Sequence, residues 1–295
     1  MDAPLPVRLL RALAWTAALP GRRARRGLAR GFAALEATRR TKRARIVATN
    51  LRLAGLDGQV SVREALAHTA LTALESLRFW TRAPGENLRQ VVDVAGADHL
   101  ATALERGGVL VVAPHQGNWE LLVQWLAAQG PFSLLYTRGE GPVGDTFLRL
   151  ARERGGVRAV PADAHGMKPL LKALQRGELV GITPDQVPSG GGVWAPFFGT
   201  PTLTMTLIHR LADRSGATCL LAAAERRADG RFRIVVEPLA PDPGDASPEA
   251  RATALNAAVE AFVRREPAQY QWTYKRFKGD HPERGLLNPY WPECY

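Results

Sequence analysis

Two titratable side chains stand where their types and spacing could do chemistry. They are His115 and Glu120, in the run Ala113-Pro114-His115-Gln116-Gly117-Asn118-Trp119-Glu120. A carboxylate that accepts from one imidazole nitrogen fixes the tautomer and leaves the other nitrogen to take a proton. The chain has no G-x-S-x-G elbow, so such a base would act directly on a bound acceptor hydroxyl. His-x4-Glu is a common spacing. From these residues alone, an oriented general base and a merely hydrogen-bonded histidine both stay open.

Other candidates surround this pair. Asp185, in Thr183-Pro184-Asp185-Gln186, follows an apolar run and reads either as a site residue or as a turn-capping aspartate. Arg138, Arg149, Arg152 and Arg154 follow the histidine and suit a phosphate or pyrophosphate, although each alone reads equally as a solvated charge. Asn118 fits the N-cap of the helix after His115 and joins the candidate substrate contacts. His68, His99, His165, His209 and His281 have no ligand-spaced partner, and no HExxH appears, so no metal is expected. The Gly190-Gly191-Gly192 run lacks a following Lys-Ser/Thr and is not a phosphate loop; a lid or acceptor loop is expected there.

The elements that must position these residues read as alternating strands and helices. Val109–Val112 is a continuous β-branched and leucine run, as in a strand buried on both faces. A helix is expected from Trp119, then strands at 132–136, 156–160 and 179–182 separated by helices at 144–154 and 167–175. Further strands are expected at 88–94, 218–224 and 232–236, the last two paired across Ala228-Asp229-Gly230. Residues 187–200 read as a Gly/Pro-rich loop, 205–215 and 249–265 as helices, and 241–248 as a linker. Residues 270–277 alternate aromatic and basic side chains, as either a core-facing strand or a bilayer-surface flank. The fold class is α/β: a mixed, mostly parallel sheet flanked by helices, with an N-terminal helical region in which 46–56 and 62–80 are helical.

At 295 residues the chain can bury a substantial core, and its 46% hydrophobic and 23% charged shares are those of a globular protein. Two cysteines, Cys219 and Cys294, without CxxC spacing argue against a disulfide framework or a structural zinc. The net charge of +11 is concentrated: ten Lys/Arg against Glu36 alone lie between Arg22 and Arg45, which carries +9 there. Before that block, residues 5–19 are apolar but include Arg8 and Arg11, too short and too charged to span a bilayer. The order of charge and apolar core is wrong for a signal peptide. An interfacial helix with Trp15 at the boundary, followed by Arg22, Arg23, Arg25 and Arg26 against an anionic leaflet, fits both features. The expected organisation is therefore a membrane-associating segment over 1–45 and one domain over 46–295. A solvated basic helix is the plainer alternative. No helix-turn-helix, zinc finger or RNP strand supports a nucleic-acid partner.

Four stretches, in this order, give the chain a resemblance. They are Ala113-Pro114-His115-Gln116-Gly117-Asn118-Trp119-Glu120, Thr183-Pro184-Asp185-Gln186, Phe197-Phe198-Gly199-Thr200-Pro201 and Pro267-Ala268-Gln269-Tyr270-Gln271-Trp272-Thr273-Tyr274-Lys275-Arg276-Phe277-Lys278. The chain resembles the bacterial lipid A late acyltransferases, the lauroyl and myristoyl transferases within the wider lysophospholipid acyltransferase group. The resemblance implies a glycerolphosphate acyltransferase-like fold and acyl transfer from an acyl-carrier-protein or CoA thioester to a hydroxyl of a membrane lipid, a lipid A precursor first among them. A lysophospholipid, aminolipid or other glycolipid acceptor, or a non-enzymatic basic membrane- or nucleic-acid-binding protein, is the alternative. It further implies His115 as general base, Glu120 as its orienting carboxylate, and Arg149 or Arg152 on the acceptor's phosphate. No cofactor beyond the thioester co-substrate is implied. The expected location is the cytoplasmic face of the inner membrane, peripheral or monotopic. Two places depart from the family pattern: the short charged apolar segment over 5–19, and Tyr136-Thr137-Arg138 where Tyr-Arg-Pro is expected.

Overall fold

The computed structural model describes residues 4–138, 141–162, 166–188, 190–239, 247–281 and 287–295. His165 and most of the expected 241–248 linker lie outside the described residues. The chain opens with four helices, α1 (Leu5–Ala17), α2 (Arg22–Thr38), α3 (Lys42–Leu53) and α4 (Val62–Thr81). Thr41 and Ser61 cap α3 and α4 by accepting from Ala44 N and Glu64 N, satisfying donors that no helical carbonyl reaches.

The α/β region follows as α5 (Pro84–Leu88), β1 (Val91–Ala95), α6 (Ala97–Arg106), β2 (Val109–Val112), α7 (Trp119–Ala127), β3 (Phe132–Tyr136) and α8 (Gly141–Glu153). It continues as β4 (Val157–Pro161), α9 (Met167–Gln175), β5 (Leu179–Ile182), β6 (Gly192–Phe197), β7 (Thr200–Met205), α10 (Leu207–Ser215), β8 (Thr218–Arg226), β9 (Phe232–Pro238) and α11 (Pro248–Arg265). Among the described residues, seven strands form one sheet in the order β1-β9-β8-β2-β5-β3-β4. Strands β8, β2, β5, β3 and β4 run parallel, while β9 returns antiparallel to β8 and pairs in parallel with β1. The sheet is thus mixed and mostly parallel, with helices on both faces. Strands β2 and β5 are buried at every position, as their unbroken apolar runs require.

Three expectations change. The strand expected over 88–94 begins only at Val91, because Pro84 opens the short helix α5 before it. The loop expected over 187–200 contains the hairpin β6–β7. Its strands pair antiparallel, Phe197 opposite Thr200, and the chain reverses at Phe198 (φ 49°) and Gly199 (φ 73°). Two left-handed residues in a two-residue connection match the twist of the flanking strands. The carboxylate of Glu260 accepts from Phe198 N at 2.6 Å, which holds a non-glycine residue in that conformation. Finally, residues 270–277 form no strand. After a single turn of 3-10 helix at Pro267–Gln269, Tyr270, Trp272, Arg276 and Phe277 are buried against the core.

The first two helices divide their surfaces. Val7 and Ala14 of α1 pack with Phe147 of α8 and with Leu77 and Trp80 of α4, and Ala29 and Ala33 of α2 are buried. Leu5, Leu9 and Leu13, one helical face of α1, are more than half exposed, as is Leu28 of α2, with Phe32 and Leu35 beside it in helical spacing. No described helix is long and apolar enough to cross a membrane.

Candidate active site

The carboxyl ends of β2 and β5, adjacent in the sheet, put their following loops side by side. Ala113 N donates to Ile182 O at 2.9 Å and extends the pairing to the last residue before each turn. Ligands of open parallel sheets bind at this edge. The chain leaves β2 through Pro114 and presents His115; it leaves β5 through Pro184 and presents Asp185.

Asp185, not Glu120, holds the histidine. Its Oδ1 lies 2.9 Å from His115 Nδ1, and its Oδ2 accepts from the His115 backbone N–H at 2.8 Å. One carboxylate therefore fixes both ring and backbone. The tautomer follows from charge: an ionised carboxylate only accepts, so Nδ1 carries the proton and Nε2 keeps its lone pair. Burial alone would raise the Asp185 pKa, but the attraction and hydrogen bonds of His115 outweigh it and hold the group below the usual carboxylate range. Tyr270, buried and hydrogen-bonded to Asp185, is pushed well above the ordinary phenol value by burial first and by that carboxylate second, and so stays a donor. The His115 side chain is 12% exposed, and its ring meets Trp119 edge-on at 4.9 Å.

Glu120 lies in the first turn of α7 and is engaged by Arg152 of α8, whose Nη2 donates to Oε1 at 2.5 Å and Nε to Oε2 at 3.4 Å. The expected His115–Glu120 contact is replaced by this ion pair. The physical reason is angular: Glu120 sits on a helix that turns it toward α8, whereas Asp185 arrives from the neighbouring strand. Burial lowers the Arg152 pKa, and Glu120 more than offsets it, so the guanidinium stays charged. Arg152 also lies 5.9 Å from the Tyr136 ring centroid. Arg149 instead pairs with Glu153 at 2.9 Å on an exposed face of α8, and Arg138 is exposed beyond the end of β3.

Asn118 is fully buried and its polar atoms are engaged inside the protein. Oδ1 accepts from Leu121 N at 3.4 Å, the expected cap, and Nδ2 donates to Glu75 Oε2 at 3.1 Å. That turns it away from the substrate contact expected of it. Glu75 takes a bidentate pair from Arg226 of β8 at 2.8 and 2.6 Å, and Arg226 also donates to Thr72 Oγ1 and to His68 Nδ1. Burial and the Arg226 charge push His68 down to about 4. Gly117 sits against this platform. It has φ +62°, donates to Gln269 O at 3.1 Å, and its carbonyl accepts from Thr72 Oγ1. A Cβ there would stand 1.9 Å from Ala224 O, so only glycine fits. Gln271 N donates to His115 O at 2.9 Å, which closes the loop from its other side.

Of the residues expected at a membrane, Arg22 and Arg23 are exposed. Arg25 and Arg26 turn inward: Arg25 is buried and donates to Pro20 O at 2.7 Å, and Arg26 donates to Ala228 O at 2.5 Å. Trp15 stays exposed, with the Arg82 guanidinium over its ring at 4.5 Å. Among the described residues no group of three or more His, Cys, Asp or Glu is arranged to hold a metal ion.

A strand-end histidine oriented by a buried carboxylate and followed by a helix N-terminus can remove a proton from a hydroxyl and favour nearby negative charge. The profile of the family described as Bacterial lipid A biosynthesis acyltransferase matches residues 7–279. The chain belongs to that family. It is therefore an acyltransferase. It is 29% identical over 244 residues to the lipid A biosynthesis palmitoleoyltransferase of Escherichia coli, covering 80% of this chain and 72% of that protein. To the lipid A biosynthesis lauroyltransferase of the same organism it is 28% identical over 204 residues, 68% of this chain and 65% of the other. A phosphatidylinositol mannoside acyltransferase of Mycobacterium tuberculosis is 29% identical over 164 residues, 50% of this chain and 51% of that one. Arg226 and Glu75 escaped the sequence reading, since a buried arginine and glutamate 151 positions apart leave no local signal, and Tyr270 was read only as part of an aromatic–basic run.

Proposed function

We propose that this acyltransferase moves a fatty acyl chain from an acyl-carrier-protein or CoA thioester to a hydroxyl of a lipid A precursor, directly and without a covalent enzyme intermediate. The observation that carries the mechanism is the His115–Asp185 pair, with the Nε2 lone pair left for the acceptor. The acceptor hydroxyl gives its proton to Nε2 as its oxygen bonds to the thioester carbon. The C–S bond then breaks and the leaving thiolate recovers that proton. General-base assistance of this kind typically contributes about 10²–10⁴-fold. No cofactor beyond the thioester enters this scheme. Arg152, aligned by Glu120, offers its remaining N–H groups to the acceptor's phosphate, with Arg149 and Arg138 further out.

The protein works at the cytoplasmic face of the inner membrane. The exposed leucines of α1 and the Leu28–Phe32–Leu35 stripe of α2 enter the interface, and exposed basic residues such as Arg22 and Arg23 contribute roughly 1 kcal/mol each against an anionic leaflet. A second acceptor class is supported by the mannoside acyltransferase among the relatives, so another glycolipid is the alternative substrate.

Mass spectrometry of lipids from a strain lacking the protein tests the assignment. One lipid A species is expected to lose a single acyl chain, to regain it with the wild-type gene, and not to regain it with His115→Ala. Unchanged lipid A with a deficit in another glycolipid selects the alternative acceptor. Unchanged acylation of every lipid contradicts the proposal.

A further inference from the structure

The loop after β5 brings one more polar side chain against the reacting face of the histidine. Gln186 Nε2 lies 3.4 Å from His115 Nε2, the ring nitrogen that Asp185 leaves unused. Since Nδ1 carries the proton, Nε2 can only accept, and the group facing it must donate. That assigns the NH2 end of the Gln186 carboxamide to the histidine. Gln186 is held on both sides. Asp185 before it is buried and doubly bonded to His115, and Val187 N after it donates to the Tyr274 hydroxyl at 3.0 Å.

A general base has to stand roughly 2.6–3.2 Å from the oxygen whose proton it takes. The acceptor hydroxyl must therefore occupy the place at Nε2 where the Gln186 amide now rests. A hydrogen bond of 3.4 Å is long and is given up at little cost. Once displaced, the amide stays beside the carbon being attacked, because its backbone is pinned by its neighbours. In a half-buried site a fixed N–H so placed is well suited to stabilise charge that develops only in the transition state.

We propose that Gln186 is a catalytic residue that moves its N–H from His115 Nε2 to the thioester carbonyl oxygen as the acyl group is transferred. The proposal rests on the reading of His115 as the base. As the acceptor oxygen bonds to the carbonyl carbon, the C=O pair moves onto oxygen, where the Gln186 N–H receives it, and the hydroxyl proton passes to Nε2. When the C=O bond re-forms, the C–S bond breaks and the thiolate takes the proton from Nε2. Gln186 exchanges no proton and forms no covalent bond.

The test is steady-state acyl transfer by the full chain, with Gln186→Ala, Gln186→Glu and His115→Ala measured against wild type using an acyl thioester and a lipid A precursor. Loss of one such donor costs on the order of 10²–10³-fold in kcat. Both Gln186 variants are expected to show that loss, with KM for the thioester within about threefold of wild type and thermal midpoints unchanged. Gln186→Glu keeps the length of the side chain and replaces the donor with an acceptor, so its loss separates donation from packing. If His115→Ala is inactive while Gln186→Ala keeps kcat within about threefold, the Gln186 proposal is overturned and the base stands. A loss confined to KM also overturns it, since that is the signature of uniform binding. If His115→Ala transfers normally, both readings fall.

Discussion

At the residue scale the chemistry turns on how many donors one carboxylate can accept. Asp185 receives the His115 ring N–H and the His115 backbone N–H, one on each oxygen. An asparagine has one acceptor and one donor, so Asp185→Asn must either lose the backbone bond or rotate the imidazole into the tautomer that protonates Nε2. The first loosens the base and the second removes it. Single-turnover acyl transfer by Asp185→Asn is expected to slow by about 10²–10⁴-fold while the lipid-bound fraction is unchanged. A rate near wild type would place the orienting role elsewhere. The folded-state pKa of Asp185 is depressed, so its contribution to stability is full above the ordinary carboxylate range and is lost only as pH falls through that lower value. Acid loss of activity near neutral pH therefore does not come from Asp185. His115 was legible because a proline and a glycine bracket it between a buried strand and a helix. Its partner was legible only as a strand-end aspartate, since Glu120 is closer in sequence and nothing local reveals which strand lies next to β2. Gln186 carried no signal of its own beyond its place after that aspartate.

At the element scale, parallel neighbours decide the site. Strands β2 and β5 are 70 residues apart at their closing positions, Val112 opposite Ile182 being the last register pair, and the site exists because both chains turn out at that edge. Periodicity found these strands, since apolar runs of four are a local property. It did not find β6–β7, where Pro196, Pro201 and Gly192 imitate a loop and the pairing depends on two left-handed residues at the turn. The same distinction separates the two N-terminal helices. Their amphipathic spacing was readable, but which arginines face the protein was not, because Arg25 and Arg26 find backbone carbonyls in a turn and in the β8–β9 hairpin. Charge on the exposed stripe should uncouple membrane binding from folding. Co-sedimentation with anionic vesicles is expected to fall at least about tenfold for Leu9→Glu/Leu13→Glu, with no change in thermal midpoint. Undiminished binding would remove α1 from the interface.

At the scale of the whole molecule, an uneven charge and a one-edged site suit a bilayer surface. The +9 over residues 22–45 sits on helices that pack on α4 and α3, and α1 also packs on α8, the helix that supplies Arg152. The surface proposed to meet the membrane and the sheet edge are thus joined through two helices, with the polar platform of Glu75, Arg226 and Asn118 beneath the His115 loop. The proposed transfer depends on His115 acting as the base at that edge. Its most direct test is transfer of a radiolabelled acyl chain from acyl-carrier-protein thioester to a lipid A precursor by purified wild type and His115→Ala under single-turnover conditions. The variant's rate is expected to be lowered by about 10²–10⁴-fold, with unchanged vesicle binding and thermal midpoint. Transfer by His115→Ala at the wild-type rate would contradict it.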